Sequence, residues 1–122
     1  MAEQATVYVV DDDHGVRHAI STFLEMIGFL VCPFPSGAEF LRNGQPGDNS
    51  CLVIDMNMPG LNGLDVIEQL RSEGNSVPAI LITGNVNDRI TSATHQAGGL
   101  LLRKPFRPEE LVEGIKQAIG RR

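Results

Sequence analysis

Cysteine is scarce, basic residues never gather, and no apolar run is long, and each shortage removes a class of function. Cys32 and Cys51 are the two cysteines. Each lies in or beside an apolar run and neither has the Cys-x-x-Cys spacing of a zinc or thiol-redox centre, so both are read as buried free thiols. No apolar run approaches the ~20 residues that a membrane-spanning helix needs, and Met1-Ala2-Glu3-Gln4 is not the basic, apolar opening of a signal sequence. A soluble, cytoplasmic protein with no membrane association is expected. Lys and Arg total 10 against 15 Asp and Glu, a net charge of −5. Without a basic face, direct nucleic-acid binding by this segment is not expected. Also missing are a Gly-x-x-x-x-Gly-Lys phosphate loop, a Gly-x-Gly-x-x-Gly dinucleotide turn and a kinase catalytic loop, so no bound nucleotide is expected. His14 and His18 fall four apart on a predicted helix but away from its apolar stripe, and are read as solvated surface rather than a metal pair.

What the chain does contain is a strict alternation. Its 122 residues, 42% of them hydrophobic, suit one domain with a full core. Four apolar runs read as strands, and each ends in residues that carry chemistry. Val7-Tyr8-Val9-Val10 runs into Asp11-Asp12-Asp13, and Leu52-Val53-Ile54 into Asp55, which a Met-Pro-Gly turn follows closely. Ala79-Ile80-Leu81-Ile82 ends in Thr83-Gly84, and Leu100-Leu101-Leu102 in Arg103-Lys104-Pro105. Continuous apolar runs bounded by turns mark strands buried on both faces. A further strand is expected over Phe29-Leu30-Val31-Cys32.

Helical spacing fills the intervals. From His14 to Ile27 the apolar positions are Val16, Ile20, Phe23, Leu24 and Ile27, with Gly28 as the stop. Ser36-Gly37-Ala38-Glu39 has the form of a capping box. Gly63 to Ser72 carries Val66, Ile67 and Leu70 inward. Asn87 or Asp88 opens a helix through His95 whose apolar face, Ile90, Ala93 and Ala97, is thin, as suits an element that must shift. Pro108 opens the last helix, with Leu111, Val112, Ile115, Ala118 and Ile119 inward, Glu109 and Glu110 at its positive end, and Lys116, Arg121 and Arg122 toward the other. Five βα units with right-handed crossovers predict a flavodoxin-like doubly wound parallel sheet ordered 2-1-3-4-5. In that order Asp11, Asp12 and Asp55 converge at the switch point. Three clustered carboxylates require a cation, a shared proton or full solvation. An all-oxygen donor set beside Lys104 points to Mg²⁺, and the combination suits phosphoryl transfer onto Asp55.

VVDDDHGVR, VIDMNMPGLNG, ILITG and LLRKPF, in that order and spacing, resemble the response-regulator receiver domain, the CheY-like phosphoacceptor of two-component signalling, over essentially the whole chain. ITG and RKPF look most like the FixJ/NarL-type regulators. The resemblance implies Asp55 as phosphoacceptor. It also implies Mg²⁺ held by Asp12 directly, by Asp11 mostly through water, by Asp55 and by the backbone carbonyl of Asn57. Thr83 and Lys104 would bind the phosphoryl group, and the Lys104–Pro105 peptide would be cis. Asp13 is the odd member of the triple and is expected to be exposed. Asn57 and Asn85 would flank the hydrolytic water. The implied partners are a sensor histidine kinase or histidine phosphotransfer protein, a C-terminal DNA-binding output domain, and a second copy through the face of the fourth helix, fifth strand and fifth helix. Residues 1–122 would then be a single receiver domain, stand-alone or the N-terminal part of a longer regulator. No enzyme turnover is expected beyond assistance to its own phosphorylation and dephosphorylation.

One departure from the family pattern is Leu101, where an aromatic usually swings inward with the threonine; a muted or rerouted switch is expected. The rivals are a degenerate receiver acting by contact alone, an aspartyl-nucleophile phosphatase and a flavin module. The phosphatase lacks its general acid, since Asn57 stands where an aspartate is needed. For the flavin module, the Asp-Asp-Asp loop repels phosphate in the absence of a metal.

Overall fold

Two strands explain the uninterrupted apolar runs. In a computed structural model, which describes residues 4–120, every residue of β3 (Ser50–Asp55) and of β4 (Ala79–Thr83) is buried. They lie inside a five-stranded parallel sheet completed by β1 (Thr6–Val10), β2 (Leu30–Phe34) and β5 (Gly99–Arg103), ordered β2-β1-β3-β4-β5. Five helices cross between the strands: α1 (His14–Ile27), α2 (Gly37–Asn43), α3 (Gly63–Ser72), α4 (Asp88–Gln96) and α5 (Pro108–Gly120). The flavodoxin-like architecture expected from the sequence is the one observed.

Alternation along the strands splits the core into two layers. Val10, Leu52, Ile54 and Leu81 meet Phe40 of α2 and Val66, Ile67 and Leu70 of α3. Val7, Val9, Cys51, Val53, Ile80 and Ile82 meet Leu24 of α1 and Leu111, Ile115 and Ala118 of α5. Burial pushes the Cys51 thiol up to about 12, which keeps it a protonated, inert packing group.

The helices start where short polar side chains satisfy their first amides. Asp13 Oδ1 accepts from Val16 N at 3.0 Å, Ser36 Oγ from Glu39 N at 3.1 Å and Asn87 Oδ1 from Ile90 N at 2.9 Å. Asn62 and Asp65 form a reciprocal capping box at 2.8 and 3.2 Å. At the other end of α1, Gly28 takes φ 117°, a conformation that favours glycine.

Two expectations need correction, and a third, the thin apolar face of α4, holds. The second strand runs from Leu30 to Phe34 rather than from Phe29 to Cys32. Pro33 is tolerated inside it because β2 is an edge strand, where a missing N–H need not break a ladder. In α1 only Leu24 of the expected stripe is fully buried, while Val16 and Ile27 are exposed, because a helix on one flank of a five-stranded sheet touches it along a narrow line. In α4 the buried residue is Thr94, with Ile90, Ala93 and Ala97 only half-buried. The stretch Met1-Ala2-Glu3 and the C-terminal Arg121 and Arg122 lie outside the described residues.

Gly63 fixes the approach of α3 to the sheet. A Cβ built there would lie 2.6 Å from both the Asp55 carbonyl oxygen and Leu81 Cδ1. The first contact is backbone and cannot rotate away. Gly63→Ala should therefore destabilise the fold by roughly 1–3 kcal/mol, the usual range for overpacking, with the loss read as a lowered urea midpoint at unchanged slope.

Candidate functional site

The C-terminal edge of the sheet collects the strand ends. β1 stops at Val10 and delivers Asp11 and Asp12; its neighbour β3 ends in Asp55 itself; β4 ends in Thr83, one residue beyond the pair Asp55–Ile82; and Lys104 follows β5. One oxygen each from Asp11, Asp12 and Asp55 lies within 4.8 Å of the others. Asp11 and Asp55 are 5% exposed, whereas Asp12 faces solvent. Lys104 Nζ stands 2.9 Å from Asp55 Oδ1 and is, among the described residues, the only partner of that oxygen.

Several bonds hold this arrangement. Met56 N donates to the Ile82 carbonyl at 2.8 Å, and Gly63 N to the Met56 carbonyl at 3.2 Å, so the loop after Asp55 is tied at both ends. Lys104 N donates to the Thr83 carbonyl at 2.9 Å. The Lys104–Pro105 peptide is cis. Thr83 is buried, and its hydroxyl accepts from Asn85 N at 3.1 Å. Asn57 is exposed in the loop after Asp55, as is Asn85 in the loop after Thr83. Leu101 is half-buried on β5 against the core layer that also takes Ile90 and Ala97 of α4.

Two roles escaped the sequence reading. Asp13, beyond being exposed, is the cap of α1 and donates its own amide to Asp11 Oδ1 at 2.9 Å; an aspartate just before the first helical residue was the available signal. Arg17, one turn into α1, donates from Nη1 to the Asp11 carbonyl at 2.7 Å and pairs with His14 Nδ1 at 3.1 Å. No sequence pattern announces a side-chain bond to a backbone carbonyl.

The electrostatics follow from burial. Loss of water pushes the Asp11 carboxyl above its ordinary range, and the charges of Asp55 and Asp12 push the same way, against the Asp13 amide and Lys104, which lower it. Three oxygens at this spacing, with no imidazole or thiolate among them, fit a hard divalent cation that keeps some of its water.

The sequence pattern of the response regulator receiver domain matches residues 7–116. The chain is 33% identical over 122 residues to the transcriptional regulatory protein FixJ of Azorhizobium caulinodans, spanning 99% of this chain and 58% of that protein. It is 36% identical over 121 residues to the response regulator protein TodT of Pseudomonas putida, spanning 98% and 53%. The chain thus spans little more than half the length of these relatives. Among solved structures, the response regulator StyR superposes with a TM-score of 0.88 at 35% identity, over 97% of this chain and 60% of that one. FixJ-N superposes with a TM-score of 0.86 at 30% identity, over 98% and 96%. Strand order, acidic cluster and these likenesses agree: the chain belongs to the response regulator receiver domain family of two-component systems.

Proposed function

We propose that Asp55 accepts a phosphoryl group from a phosphohistidine of a sensor kinase or histidine phosphotransfer protein, in a Mg²⁺-dependent step that the receiver itself assists. The observation that carries this reading is a buried carboxylate whose partner is an ammonium at 2.9 Å, set among two further carboxylates. As structural glue the set is poor, since removing charges from water costs about as much as their pairing returns. As a phosphoryl site each part has work. Asp55 supplies the nucleophilic oxygen; a P–O bond forms to it as the P–N bond breaks, and the electron pair leaves with the imidazole. Lys104 turns from the carboxylate to a phosphoryl oxygen, and the Thr83 hydroxyl, which accepts from Asn85 N, donates its O–H to another such oxygen. Asp11, Asp12, Asp55 and the Asn57 carbonyl would hold the Mg²⁺, whose charge would neutralise the transferred group. Water attacks the acyl phosphate later, passing Asn57 and Asn85, so the domain is a consumed and restored acceptor rather than a turnover enzyme.

Downstream, the transcriptional relatives and the partial span of the match support a cytoplasmic receiver within a longer regulator, with a C-terminal DNA-binding output domain and dimerisation through the α4-β5-α5 face. Residues 1–122 form its receiver portion. No helix of the described residues is long and apolar enough to cross a membrane.

Intact-mass spectrometry after incubation with acetyl phosphate tests the acceptor. A gain of roughly 80 Da, the added phosphoryl group, is expected with Mg²⁺, and is lost without the metal and in Asp55→Asn; the same gain in that variant would refute the assignment. Linkage tests the metal. Mg²⁺ at ten times its Kd should stabilise the protein by about 1.4 kcal/mol, read as a rise in Tm, and Asp12→Ala should abolish the response.

The raised carboxyl of Asp11 gives a pH signature. A folded state that binds the Asp11 proton more tightly than the unfolded chain loses stability as pH rises through the ordinary carboxylate range, and the loss is complete above the folded value. Without Mg²⁺, Asp11→Asn should therefore melt higher than wild type at pH 7. The advantage should vanish below about pH 3.9, the unperturbed aspartate value. Equal melting at both pH values would contradict the cause assigned here.

A further inference from the structure

α4 is joined to the molecule unevenly. In its first half Asp88, Arg89, Thr91 and Ser92 are exposed and Ile90 is half-buried. Among the described residues none of these side chains makes a hydrogen bond or ion pair to another element. The second half is gripped. Thr94 is 1% exposed and seats against Gly99, where an added Cβ would come within 3.2 Å of Thr94 Cγ2. Arg71, near the end of α3, donates from Nε to the carbonyl of Ala97 at 2.7 Å, capturing one of the carbonyls that a helix end leaves without an internal partner.

The guanidinium is itself held by the frame. Its Nη1 donates to the Asn75 carbonyl at 3.0 Å, while the Asn75 side chain donates to the Pro46 carbonyl at 3.3 Å and accepts from Val77 N at 2.9 Å. Packing holds this end toward the sheet, through Thr94 and Ala97, but not toward α3. An open groove of about 480 Å³ separates α3 from α4, lined by Glu68, Arg71, Ala93, Gln96, Ala97 and Gly98, and the guanidinium bridges it. Among the described residues the Thr94 hydroxyl is buried without a partner, which weakens the hold at that end. α3 in turn is fixed to the Asp55 loop through Gly63.

We propose that Arg71 is the fulcrum of α4: the helix pivots about Ala97, and its first half moves with the loop from Thr83 to Asn87 while its last turn stays with α3. This rests on the phosphoacceptor reading for the force that drives the pivot, but the pivot itself belongs to the unphosphorylated protein as well. Charge-assisted bonds to carbonyls are strong and directional, so one such bond at a helix end makes a hinge point where apolar contacts alone allow sliding.

Residue-resolved amide hydrogen exchange by NMR tests the fulcrum. In the unmodified protein the amides of Gln96 and Ala97 should exchange on the order of tenfold more slowly than those of Ser92 and Ala93, as one charge-assisted hydrogen bond implies. Arg71→Gln should erase that gradient, and Arg71→Lys, which keeps the charge but not the two-way reach, should reduce it. Equal rates along the wild-type helix, or an unchanged gradient in Arg71→Gln, would overturn the proposal; should Arg71→Gln not fold, the wild-type gradient and Arg71→Lys decide. After acetyl phosphate and Mg²⁺, exchange should change in residues 86–92 and hold steady at 96–98, and a uniform change over α4 would also overturn it. The mass of the same sample keeps the two readings apart: no phosphoryl gain refutes the acceptor, while the gradient still judges the fulcrum.

Discussion

Everything at the C-terminal edge of the sheet answers to one constraint: the Asp55 carboxylate is buried at the end of an interior strand and cannot be left without a counter-charge. Lys104, at 2.9 Å, supplies it. The lysine can do so only because β5 returns alongside β4 and the Lys104 amide bonds the Thr83 carbonyl. The doubly wound order brings β1 to the other side of β3 and adds Asp11 and Asp12, which work against that compensation. A protein selected for stability alone would replace such a set with apolar residues. Its presence in an otherwise well-packed domain supports the proposed phosphoacceptor reading, since functional sites are where local energetic conflict is concentrated.

How much of this was visible in the sequence depended on whether the determining interaction is local. β3 and β4 were legible because strands buried on both faces need apolar residues at every position. Caps were legible because Ser36 and Asn87 act within three residues of themselves. The acidic cluster followed from strand order plus strand ends. The second strand was misjudged because Pro33 is forbidden in most strands and allowed at an edge, and edge status is a property of the sheet. The α1 stripe was overcounted because periodicity reports which face turns inward, not how wide a surface waits for it, and Val16 and Ile27 remain in water. Arg17 and Arg71 were invisible for a third reason: their partners are backbone carbonyls, which every residue has, and the Arg71 partner is 26 residues away.

Leu101 decides how a change at the site can reach the surface. It lies half-buried against the layer containing Ile90 and Ala97, in the place where the family pattern puts an aromatic. A leucine has no flat ring to pass between solvent and core, and its branched end fills much the same volume in each rotamer. Under the proposed phosphoacceptor reading, movement of Thr83 would travel along the backbone, through Gly84, Asn85 and Val86, into the first turn of α4. That half of α4 is the part with exposed side chains and no bonds to other elements among the described residues. On the proposed reading, a leucine in place of the aromatic and the sparse polar attachment of the first half of α4 are complementary: a switch without a ring to turn would swing a helix whose far end is held.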